Sequence, residues 1–136
     1  MKYGTISGLD KPVSRLVLGC ADLKDTALLD AALDAGVNTF DTAHVYGGSE
    51  ALLGRWLKGR DLSRLVIETK GCHPGPLRPD RVTPACLVKD VEESLRRLGV
   101  DCIDLFLLHR DSRRSEAGEL VETLNHLRKQ GKIRAF

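Results

Sequence analysis

No apolar run in this sequence approaches the roughly 20 residues that a membrane span requires, and no amino-terminal segment joins a basic start to a long apolar stretch. The reading is therefore neither a membrane protein nor one carrying a leader, and the expected location is the cytoplasm. An excess of one charge is also missing. The 21 Lys and Arg residues face 19 Asp and Glu, a net charge of +2, and the bases are interspersed with acids rather than massed. That distribution gives no support to a nucleic-acid partner, and the pairs Arg96-Arg97 and Arg113-Arg114 read as solvated helix and loop faces. Cys20, Cys72, Cys86 and Cys102 include no Cys-x-x-Cys pair, so free thiols in a reducing compartment are expected. Cys72-His73 lacks a second pair of ligands, and no metal is expected. A glycine-rich phosphate loop is absent as well: Gly19-Cys20-Ala21-Asp22 contains neither G-x-G-x-x-G nor a P-loop.

What remains is an ordinary globular composition, 42% hydrophobic and 29% charged over 136 residues, read as one domain spanning 1–136. Along it, strand-like and helix-like patterns alternate. Residues 13–18 read as a first strand. Asp25 then caps a helix with Leu28, Leu29, Ala32 and Leu33 as its buried stripe and Gly36 as its left-handed stop. Residues 37–40 form the second strand, and Ser49 caps a short helix that buries Leu52, Leu53, Trp56 and Leu57. The third strand covers 65–69. Residues 71–82, with Gly71, Pro74, Gly75, Pro76 and Pro79, form a long loop. Thr83-Pro84 opens a helix with Leu87, Val91, Leu95 and Leu98 on one face and Gly99 at its end. The fourth strand covers 102–108, the fourth helix 115–130 with Leu120, Leu124 and Leu127 inside, and a fifth strand begins in 132–136. Such βα repetition implies a parallel sheet with right-handed crossovers. Two architectures use it: a partial (β/α)8 barrel of about four and a half units, or an open five-stranded sheet. Length favours the open sheet, since a complete barrel needs about 250 residues, while the missing phosphate loop argues against it.

Three of these strands run into ionisable residues: Asp41, Lys70 and His109, with Tyr46 close behind the first. Singly, each has an ordinary explanation, as a turn cap, a snorkelling lysine, a core histidine or a half-buried loop aromatic. Their shared place at strand carboxyl ends, where α/β folds build their sites, marks them as a set. The segments Asp41-Thr42-Ala43-His44-Val45-Tyr46-Gly47, Glu68-Thr69-Lys70 and Leu107-Leu108-His109 resemble, in order and spacing, three signature segments of the aldo-keto reductase superfamily. The ending Gly131-Lys132-Ile133-Arg134-Ala135-Phe136 resembles that family's entry into its fifth barrel strand.

The resemblance implies a (β/α)8 barrel that reduces an aldehyde or ketone with hydride from NADPH, reversibly. It implies four catalytic residues: Tyr46 as the acid, Lys70 as the cation beside it, Asp41 as the partner of Lys70, and His109 orienting and polarising the carbonyl. It further implies cofactor contacts at Gly19, Cys20 and Asp41, and places Arg110, Asp111, His44, Cys72 and His73 as loop or pocket residues. The partner is a small carbonyl compound. The family's phosphate grip lies in later loops, so the expectation is a truncated reductase, weak or inactive alone and prone to self-association through exposed strand edges. The alternative is a noncatalytic half-barrel that binds a protein or small molecule.

Overall fold

Apolar strands alternating with amphipathic helices hide their apolar sides by stacking the helices on a sheet. The computed structural model describes residues 1–75 and 80–136; Pro76 and Pro79 of the expected loop lie outside the described residues. A short antiparallel pair, β1 (Tyr3–Gly4) and β2 (Val13–Ser14), comes first. Five parallel strands follow in the order of the chain: β3 (Val17–Gly19), β4 (Thr39–Asp41), β5 (Val66–Gly71), β6 (Ile103–Leu108) and β7 (Ile133–Ala135). Between them run α1 (Ala27–Asp34), α2 (Ser49–Leu57), α3 (Pro84–Leu98) and α4 (Ala117–Lys129).

All four helices among the described residues pack on one face of the sheet. Leu29 of α1, Leu53 and Trp56 of α2, Leu87 of α3 and Leu124 of α4 share a single buried cluster with Phe40, Ile67, Phe106 and Ile133 from the strands. Fully buried side chains such as Phe40, Leu53, Leu87 and Phe106 each contribute about 1.5–3 kcal/mol relative to exposure. An open doubly wound sheet reverses its strand order and carries helices on both faces. Sequential order with helices on one side is the winding of a barrel, so the chain is a partial (β/α)8 barrel of four βα units and a fifth strand. On the opposite face, Leu9 is buried against Val66 and Ala135, with Ile6, Val13 and Leu105 around them. Among the described residues, no helix is long and apolar enough to cross a membrane.

Three local expectations are corrected. Residues 13–18 are not one strand: the Ser14 hydroxyl donates to the Leu16 carbonyl at 2.7 Å, and the Ser14 N–H goes to the Asn38 side chain at 2.9 Å. These local bonds turn the chain between β2 and β3. Ser49 is not a cap but the first residue of α2, its hydroxyl spent elsewhere. Leu28 is 52% exposed, one step off the stripe on which its neighbour Leu29 is buried. By contrast, Thr83 accepts the Cys86 N–H at 3.3 Å ahead of Pro84, and Gly99 closes α3 at φ 66° with its N–H on the Leu95 carbonyl. Both ends of α3 follow the sequence signals.

Candidate active site

Parallel strands deliver their carboxyl ends to one rim. The register pairs Gly19 with Asp41, Asp41 with Glu68, and Lys70 with Leu107. His109 lies just past β6, where its N–H donates to the Gly71 carbonyl at 2.8 Å. Asp41, Lys70 and His109 thus stand on three adjacent strand ends. The Lys70 ammonium donates to Asp41 Oδ1 and, at 2.9 Å, to the Thr42 carbonyl. Both side chains of the ion pair are largely enclosed, 16% and 25% exposed, so solvent screens it little. The ammonium lies 5.3 Å from the centre of the Tyr46 ring. That ring meets His109 edge-on at 5.6 Å and 89°. All four expected residues are therefore brought together.

Tyr46 sits in a turn, yet the turn is tied down on three sides. The Thr42 and His44 N–H groups prolong the ladder onto β5 through the Glu68 and Lys70 carbonyls, at 2.9 and 2.8 Å. Tyr46 donates its N–H to the Ala43 carbonyl, and Ser49 donates to the Tyr46 carbonyl, both at 3.0 Å. The Ser49 hydroxyl donates to the Cys20 carbonyl at 2.7 Å, so the Thr42 hydroxyl, 2.8 Å away, is the donor in their bond. Behind the turn, the buried Glu50 carboxylate accepts the Thr69 hydroxyl at 2.7 Å and Arg97 at 3.2 Å, and Arg97 also donates to the His44 carbonyl. Arg97 is thus not the solvated helix residue the sequence suggested. Glu50 was not singled out at all, although a glutamate on the apolar side of a helix was a signal. Thr69 faces away from Lys70, as strand alternation requires.

Burial lowers the pKa of His109, and His73, Lys70 and Arg110 lower it further. The ring is therefore neutral at neutral pH. His109 Nδ1 is buried and has no hydrogen-bond partner among the described residues. His73 reaches the same place, its ring 4.6 Å from His109 at 78°. His44 does not: its Nε2 is 2.7 Å from Glu93 on α3. Cys72 is buried at φ 63°, with its N–H on Asp90 at 2.8 Å, and burial pushes its thiol up to about 12. Arg110 and Asp111 are exposed.

Of the three positions expected to meet a cofactor, Asp41 is paired with Lys70, and the other two differ. Gly19 is exposed at the end of β3, and a Cβ built on it would meet nothing within 4 Å. Cys20 is fully buried; its N–H goes to the Asp41 carbonyl, its carbonyl takes Ser49, and burial first and Asp41 second raise its thiol to about 11. No polar group of Cys20 is left to face a ligand. Alternation along β5 places Glu68 on the same side as Lys70. Burial raises its carboxyl above the ordinary glutamate value, and Asp41 adds to the rise. A groove bounded by Asp22, Leu23, Tyr46, Ser49 and Arg55 opens beside the phenol.

A half-barrel whose rim sets an acid, an ammonium, a phenol and an imidazole in one series calls for comparison with carbonyl-reducing barrels. Residues 18–136 match the sequence profile of the Aldo/keto reductase family, and the chain belongs to that family. Aldo-keto reductase str7 of Strobilurus tenacellus is 40% identical over 111 residues, covering 79% of this chain and 32% of that protein. The NADH-specific methylglyoxal reductase of Escherichia coli is 33% identical over 167 aligned positions, covering 100% of this chain and 51% of that protein. Among solved structures, the holo form of aldo-keto reductase AKR11C1 from Bacillus halodurans superposes with a TM-score of 0.87 at 31% identity, over 98% of this chain and 48% of that one. The chain spans about half the length, or less, of these relatives.

Proposed function

We propose that residues 1–136 form the proton-handling part of an aldo/keto reductase domain that reduces a small aldehyde or ketone with NADPH. The observation that carries this reading is the contact series from Asp41 through Lys70 to Tyr46 and His109. A nicotinamide cofactor supplies hydride to the carbonyl carbon, and negative charge then grows on the carbonyl oxygen. Tyr46 gives its proton to that oxygen. A free phenol holds its proton to a pKa of about 10; a neighbouring ammonium stabilises the phenolate left behind, and Lys70, 5.3 Å from the centre of the Tyr46 ring, takes that part. Asp41 and the Thr42 carbonyl hold Lys70 in place. His109, neutral, orients the carbonyl oxygen as a hydrogen-bonding group without competing as a cation.

Cofactor contact is assigned to Gly19 and Asp41, because open space adjoins Gly19 and Cys20 is closed off. The choice of NADPH rests on the motif resemblance, and parallel kinetics with NADPH and NADH test it. The central test is Tyr46→Phe in the natural protein that carries these residues. Removing a general acid costs about 10²- to 10⁴-fold in rate, so turnover of an aldehyde panel should fall by that factor while cofactor affinity is kept. Unchanged turnover would remove Tyr46 from the mechanism. Cofactor binding without turnover in the unaltered protein would favour the noncatalytic half-barrel.

A further inference from the structure

Two carboxyl groups and one ammonium share a small part of the barrel interior. Asp41 and Glu68 are direct register partners on adjacent parallel strands, and neighbouring strands lie only about 4.8 Å apart. Lys70 is two residues beyond Glu68, on the same face of β5, and pairs with Asp41. On the other side of Glu68, the register partner on β6 is Leu105, which carries no charge. From the end of β3 the nearest titratable group is the Cys20 thiol, held neutral by burial, and His109 on the rim is neutral too. Among the described residues, Lys11 and Arg134 both pair with Asp104 near the strands' amino-terminal ends. One ammonium therefore serves two half-enclosed carboxyl groups. Ionising both leaves an uncompensated negative charge out of water, which is costly; keeping one proton between them makes the set neutral.

We propose that Glu68 is a positioning residue for Lys70: it donates its carboxyl proton to Asp41 and so fixes the carboxylate that holds the ammonium. Asp41 Oδ1 is engaged by Lys70, and the second oxygen takes the Glu68 proton. For catalysis, which here rests on the roles given above to Lys70 and Tyr46, the consequence is electrostatic. With Glu68 protonated, Lys70 is balanced by a single carboxylate and keeps more of its field for the phenol. With Glu68 ionised, two carboxylates oppose it and the field weakens. The neighbours bias Glu68 in opposite directions, Asp41 towards holding the proton and Lys70 towards losing it.

Carboxyl carbon NMR titration of the 136-residue chain, without cofactor or substrate, tests this whatever the catalytic outcome. Glu68 should titrate above the ordinary glutamate range, and the Asp41 carbon should sense the same midpoint. Asp41→Asn should lower the Glu68 midpoint and Lys70→Gln should raise it. Glu68→Gln keeps a donor towards Asp41 and should preserve the amide spectrum while erasing the shared step from Asp41. An ordinary glutamate midpoint, or an Asp41 titration unaltered by Glu68→Gln, would overturn the proposal. Failure of the Tyr46→Phe test would leave these titrations in place and would tell against the reductase reading alone. In the natural protein, Glu68→Gln should also remove the alkaline decline in rate that follows Glu68 ionisation.

Discussion

His109 and Glu68 are each disfavoured in the charged form, and because one is a base and the other an acid they act on stability in opposite pH directions. The folded-state pKa of His109 is depressed below 6.5, with burial the leading cause. Its contribution is complete above the ordinary histidine range and is lost as pH falls through that range towards the folded value. The Glu68 carboxyl is raised, so its contribution is complete below the ordinary glutamate value and is lost as pH rises through the folded one. Imidazole NMR should therefore place His109 below 6.5, and His109→Gln should flatten the acid-side fall of the urea midpoint; a histidine titrating normally would contradict this. Single residues were legible where their place in a strand was legible. Asp41, Lys70 and His109 were found because three apolar runs end on them. Arg97 was misread, and the tie of His44 could not be read, because their partners, Glu50 and Glu93, lie 47 and 49 positions away, and such pairing leaves no local trace.

Among elements, the close approach of α2 to α3 carries the clearest consequence. A Cβ on Gly54 would lie 2.5 Å from the Arg97 carbonyl oxygen and 2.7 Å from that of Leu98. Alanine gains about 1 kcal/mol over glycine in a helix interior, but backbone atoms cannot rotate aside, and overpacking of this kind costs about 1–3 kcal/mol. Gly54→Ala should therefore be net destabilising, by up to about 2 kcal/mol in denaturant titrations. A rise in stability would show that the helices separate without cost. The substitution also pushes on the Glu50–Arg97 pair that backs the Tyr46 turn, so it should loosen the site. Helix α3 was legible at both ends, since Thr83, Pro84 and Gly99 signal boundaries through local bonds. The division of 13–18 into β2 and β3 was not, because β-branched residues suit either strand and a distant side chain, Asn38, turns the chain there.

For the whole molecule, the barrel winding leaves β3 and β7 each paired on one side only within the five-stranded sheet. Leu16 and Val17 beside the first edge are 64% and 48% exposed. Unpaired apolar edges recruit further strands, so the 136-residue chain by itself should show a mass in light scattering that rises with concentration above 15.0 kDa. Val17→Lys should suppress the rise, and a strictly monomeric chain at all concentrations would count against edge pairing. The choice between barrel and open sheet could not be made from helix and strand patterns, which both share. It was legible only through the strand-end residues and was decided by all four helices lying on one face. The strand order has a temporal corollary. Because each strand pairs with the one made just before it, a partner has already left the ribosome when it emerges. Asp41, Lys70 and His109 can be gathered during synthesis, as soon as β6 docks, with no long-range closure to wait for.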